Sequence, residues 1–133
     1  MNKNINICII HYNTPEMTEC LIKSINKYVK RSRIFIFDNS DKNVFSYRQS
    51  NIIYFDNTKG QFINFDNELV YNYIPLKTGT AYLNNYISFK HCISVQKCIE
   101  LINDNFILLD SDVLIKKDIS DIADENAIFS GSV

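Results

Sequence analysis

The 133-residue sequence has no tryptophan, only three glycines and only two prolines. So few breakers exclude a Gly/Pro-rich disordered segment. Neither charge sign dominates: 14 lysines and arginines face 15 aspartates and glutamates, a net charge of −1. A nucleic-acid binder normally carries a basic surplus, so no nucleic-acid partner is expected. No apolar run approaches the ~20 residues that span a bilayer. The apolar stretch Ile5-Asn6-Ile7-Cys8-Ile9-Ile10 is short and runs into His11-Tyr12-Asn13 with no small-residue cleavage site. It therefore reads as a buried strand, not a secretory signal. Cys8, Cys20, Cys92 and Cys98 show no C-x-x-C spacing. They read as free, reduced, mostly buried thiols of a cytoplasmic protein, with Cys92 and Cys98 on different sides of one helix.

What is present is enough for one domain with a real core. The chain is 46% hydrophobic and 13% aromatic, and a chain of this size hides around two-thirds of its unfolded surface. Residues 5–12 are apolar and β-branched, as a strand buried on both faces would be. Thr14 and Pro15 suit an N-cap and a first helical position, and Glu16 suits the first turn. Met17, Leu21, Ile25 and Tyr28 then recur at helical spacing, which predicts an amphipathic helix over 15–29. Lys27, Lys30, Arg31 and Arg33 fall at its basic end.

Residues 33–37 and 52–55 read as further strands, closed by Asp38-Asn39-Ser40-Asp41 and by Asp56-Asn57. Cys92, Val95, Ile99 and Ile102 step by helical intervals, predicting a helix from an N-cap at Ser88 to Asn103. Phe106–Leu109 reads as a fourth strand and residues 127–133 as the start of another. Residues 57–80, rich in Asn, Phe and Tyr, are expected to be an insertion or irregular connection. The order strand–helix–strand–strand–helix–strand predicts an α/β fold with a mostly parallel sheet flanked by helices.

In such a sheet, ligands bind at the carboxyl ends of the strands. Three strand ends carry polar residues: Tyr12-Asn13, Asp38-Asn39 and Asp110-Ser111-Asp112. Two carboxylates two residues apart after an apolar strand can offer oxygens to a hard divalent cation. Mg²⁺ and Mn²⁺ take few carboxylates, several waters and substrate phosphates.

Ile7-Cys8-Ile9-Ile10-His11-Tyr12-Asn13 followed by Leu21-Ile22-Lys23-Ser24-Ile25 resembles the opening of family 2 glycosyltransferases of the GT-A fold. Asp38-Asn39-Ser40 resembles their second-strand Asp loop, and Phe106–Leu109 with Asp110-Ser111-Asp112 resembles their apolar strand and DxD motif. The resemblance spans residues 5 to about 118 and implies a Rossmann-like nucleotide-diphospho-sugar transferase fold. It implies sugar transfer, with inversion, from a nucleoside-diphosphate sugar, foremost a UDP-sugar, to a hydroxyl acceptor. A divalent cation, Mn²⁺ or Mg²⁺, would neutralise the departing diphosphate. Tyr12 and Asn13 would line the nucleotide pocket, and Asp38 would accept a hydrogen bond from the base, with Asn39 beside it. Asp110 and Ser111 would lie near the ribose, and Asp110 and Asp112 would hold the metal. Lys90 and His91, read as near a helix N-terminus, would face the phosphates.

The family's catalytic base lies well beyond the DxD, so no catalytic residue is assigned within these 133. The resemblance therefore predicts a C-terminally truncated, donor-binding portion spanning 1–133. It would be cytoplasmic, at the inner face of the membrane if missing segments attach it there. An exposed sheet edge predicts self-association. The alternatives are a catalytically incomplete nucleotide-binding module and a metal-dependent phosphotransfer or phospho-acceptor domain. The latter needs an acidic pair after the first strand, where His11-Tyr12-Asn13 stands instead. No G-x-G-x-x-G follows that strand, which argues against a dinucleotide binder.

Overall fold

The computed structural model describes residues 3–65 and 79–120. The elements are β1 (Ile5–His11), α1 (Pro15–Tyr28), β2 (Ser32–Asp38), β3 (Ile52–Asp56), α2 (Gly79–Ile102) and β4 (Ile107–Leu109). The four strands form one sheet in the order β3-β2-β1-β4, and every pairing is parallel.

Side-chain alternation in the two central strands builds two cores, one on each face. Ile7 and Ile9 of β1 and Ile34 and Ile36 of β2 pack with Leu21, Ile22 and Ile25 of α1. The intervening Cys8 and Phe37 pack on the other face with Cys98 of α2. Because strand side chains have period two, a continuous apolar run feeds both layers at once. Each fully buried Ile or Leu contributes roughly 1.5–3 kcal/mol of transfer free energy. Cys8 and Cys98, both buried, face each other across the sheet–α2 interface. The neighbouring Cys98 thiol, and then burial, push the Cys8 thiol far above its ordinary range. Cys20 and Cys92 are exposed, and all four thiols are free.

Several expectations change in detail. Thr14 precedes α1 but its hydroxyl does not cap the helix. Met17 is exposed, because the buried face of α1 is Thr18, Leu21, Ile22 and Ile25. Helix α2 begins at Gly79, so Ser88 is an interior residue and not an N-cap. No breaker stands between Gly79 and Ser88 to start the helix later. It ends where Asn103 takes φ 50° and its N–H donates to Ile99 O, a left-handed cap that Asn tolerates. In the region expected to be an insertion, Asn57–Gly60 forms a turn and 61–65 is irregular. Residues 66–78, and the strand expected at 127–133, lie outside the described residues.

Candidate functional site

The sheet order sets where a ligand crevice can form. From β1 the chain adds β2 and then β3 on one side, then crosses to β4 on the other. The direction of winding reverses between β1 and β4, and in open parallel sheets the crevice lies at the carboxyl ends of such a pair. Tyr12-Asn13 leaves β1 there, and Asp110-Ser111-Asp112 leaves β4. A hydrogen bond crosses the gap: the Thr14 hydroxyl donates to Ser111 Oγ, 3.2 Å. The side chain freed from capping thus ties the start of α1 to the Asp-Ser-Asp turn, which is closed by Val113 N–H donating to Asp110 O.

Asn13 organises the β1 side. Its φ of 55° lies in the left-handed region, where Asn is among the few non-glycine residues tolerated. Its backbone N–H donates to Ser40 Oγ, 2.8 Å. Its Oδ1 accepts from three successive N–H groups, those of Asp41, Lys42 and Asn43, at 3.0–3.2 Å. Its Nδ2 donates to Asp41 Oδ1 at 2.6 Å, and the Tyr12 hydroxyl reaches Asp41 Oδ2 at 3.4 Å. The Asn13 amide holds the exposed Asp41 carboxyl below its ordinary value. Partial burial, then Asp41, push the Tyr12 hydroxyl up. Asp41 is the site residue that motif reading passes over, since it lies outside the matched Asp-Asn-Ser triplet.

Asp38 is placed differently from the expectation of a base-contacting carboxylate. It is fully buried. Oδ1 accepts from Ser40 N–H at 2.9 Å, and Oδ2 accepts from Phe45 N–H at 2.9 Å and from the Tyr54 hydroxyl at 2.7 Å. Both oxygens are engaged in fixing the loop after β2. Burial and this bond push the Tyr54 hydroxyl well above its ordinary value. Next to it, His11 is fully buried against Phe45, with Nδ1 sharing a 2.7 Å hydrogen bond with Thr18 Oγ1. Its Nε2 is a buried nitrogen with no hydrogen-bond partner. Burial lowers its pKa, and the Asp38 carboxylate and the Asn43 backbone only partly oppose this.

Asn39 is a link between layers. Its Nδ2 donates to Ser94 Oγ of α2 at 2.8 Å, and its Oδ1 accepts from Asn57 Nδ2 at 2.8 Å. Asn57 Oδ1 in turn accepts the N–H groups of Phe62 and Ile63. Sequence gave no signal for Ser94, an ordinary helix-interior residue by pattern. Lys90, one turn before Ser94, brings its Nζ to 5.9 Å from the Tyr12 ring centre and 5.1 Å from that of Phe65. Lys90 therefore does lie beside the β1 end, but in mid-helix, where no unpaired helix N–H groups accompany it. Half-buried His91 forms no hydrogen bond or ion pair with the other site residues.

Asp110 and Asp112 complete the set. Asp38, Asp41, Asp56, Asp104 and Asp118 each have a carboxylate oxygen in a hydrogen bond. Among the described residues Asp110 and Asp112 do not, and both are exposed. No group of three or more His, Cys, Asp or Glu side chains comes together among the described residues. The site thus offers no all-protein metal cage. Two uncommitted carboxylates and the Ser111 hydroxyl fit a hard cation that shares its coordination with water and a ligand's phosphates.

No protein-family model, curated protein or solved structure matches the chain. The fold and site define a small α/β domain with a four-stranded parallel sheet and polar residues gathered at its carboxyl edge. No helix among the described residues is long and apolar enough to cross a membrane.

Proposed function

We propose that this chain is the donor-binding portion of a family 2-like glycosyltransferase, of GT-A type, and that it binds a nucleoside-diphosphate sugar at the crevice between β1 and β4. The observation that carries the reading is the state of Asp110 and Asp112. At a strand end beside the reversal of winding, they are the described aspartates left without a hydrogen bond. In this reading they hold a Mg²⁺ or Mn²⁺ ion, which supplies charge neutralisation for the leaving diphosphate. Tyr12 offers an exposed ring for the base, and Asn13 and Asp41 hold the loop beside it. Lys90 places a cation over the Tyr12 ring, on the path of the phosphates. Asp38 and Asn39 act indirectly, Asp38 by anchoring the loop and Asn39 by tying it to α2. The acceptor would be a hydroxyl compound.

Thermal stability followed during titration with UDP, GDP and other nucleotides, with and without Mn²⁺, tests this. A ligand specific for the native state adds about 2.7 kcal/mol at a hundred times its dissociation constant. The reading expects metal-dependent stabilisation by one nucleoside diphosphate, lost in Asp112→Ala. Indifference to every nucleotide would refute it.

A further inference from the structure

The near-zero net charge conceals a separation of charge between the two ends of the sheet. At the end where the strands start, Lys27, Lys30, Arg31 and Arg33 crowd around the end of α1 and the start of β2, all exposed. Exposed Lys3 lies alongside them, because Ile5 N–H donates to Arg31 O at 2.8 Å and Asn6 pairs with Arg33. Two acids accompany these cations: Asp104, 3.9 Å from Lys3 Nζ, and Asp118, near Lys30. At the opposite end Glu16, Asp41, Asp56, Asp110 and Asp112 outnumber Lys42, Lys59 and Lys90. The helix dipole accounts for Lys27 in the last turn of α1. It does not account for Lys3, Arg31 or Arg33, which stand outside any helix.

We infer that this basic end of the sheet is a contact surface for a layer of anionic lipid headgroups. The cations sit on strand starts and a helix end, not around a concavity, so a surface whose headgroups rearrange beneath them suits better than one shaped ligand. Screening matters here. The Debye length is about 8–10 Å at physiological salt, and seven-residue β1 puts the acidic end roughly 20 Å away. A lipid layer beneath the basic end therefore meets mainly its cations, while the acidic end is screened from it. Clusters of about four to eight Lys and Arg suffice for attraction to an anionic leaflet. Duplex nucleic acid fits less well, since it calls for a basic surplus over the whole chain. Docked this way, the carboxyl-end crevice faces away from the lipid and stays open to soluble ligands. The inference does not depend on the donor reading.

The test is flotation with phosphatidylcholine vesicles with and without phosphatidylglycerol. Binding should require phosphatidylglycerol and disappear at high salt. Replacing Lys27, Lys30 and Arg31 together by Gln should lower partitioning about 100-fold, whereas Lys42→Gln with Lys59→Gln should leave it unchanged. Should the triple variant fail to fold, amine labelling of the unaltered protein decides: vesicles should shield Lys3, Lys27 and Lys30 but not Lys42 or Lys59. Equal binding to neutral vesicles, equal loss in the control variant, uniform labelling, or equally tight binding to duplex DNA would each overturn the inference.

Discussion

Two aspartate-bearing strand ends of one sheet meet opposite fates. At the end of β2, Asp38 is fully buried and takes three donors from its own loop and from β3. At the end of β4, Asp110 and Asp112 are exposed and take none among the described residues. The residue type and the strand-end position are shared, so neither identifies a ligand-binding carboxylate. The donors around it do. A buried carboxylate with its lone pairs filled stabilises the fold, and one left in solvent can engage a ligand.

The sharpest way to break this comparison is Asp38→Ala. It strands two backbone N–H groups and the Tyr54 hydroxyl, and should cost about 3–5 kcal/mol in urea unfolding. A loss under 1 kcal/mol would mean that the loop does not need its anchor. Asn13 comes next. Asn13→Ala loses the acceptor of three N–H groups and forces Ala into left-handed φ, for about 2 kcal/mol. Asn13→Gly removes only the backbone part, so it should recover about 1 kcal/mol of that. Equal losses would deny the positive φ any role.

His11 adds a pH signature to the β2 side. Its folded pKa lies below the ordinary value of 6.5. As pH falls below 6.5, the unfolded chain takes up a proton first. Stability should therefore fall from about pH 6.5 down to the depressed folded value, with a slope of up to about 1.4 kcal/mol per pH unit from this group. Comparing denaturation midpoints of the parent chain and His11→Gln across that range isolates the contribution. Parallel curves would exclude it. The smallest stability effect belongs to Asp110→Ala and Asp112→Ala, each within about 0.5 kcal/mol of the parent. A larger loss would show that these carboxylates, too, support the fold.

The sheet was legible because β1 and β2 are buried on both faces. An unbroken apolar run such as Ile7–Ile10 is the only pattern that satisfies two helical layers. Strand ends were legible for a similar reason: Asp38, Asp56 and Asp110 stop apolar runs. The start of α2 was not, because Gly79–Ile87 carries neither a capping signal nor a clear apolar stripe. The gathering of Tyr12, Asn13 and Asp110–Asp112 at one edge followed from strand order. The burial of Asp38 did not, since its donors come from Phe45 and Tyr54, and no local pattern announces such a bond. Asn39–Ser94 is the same case across 55 residues.

The most direct test of the crevice is the position of the metal. With UDP present, or whichever nucleotide stabilises the chain, substoichiometric Mn²⁺ should broaden the backbone amide signals of 12–14 and 110–113. Those of 31–33 and 104–106, at the far end of the sheet, should stay sharp. Uniform broadening, or broadening confined to the far end, would contradict a donor site between β1 and β4.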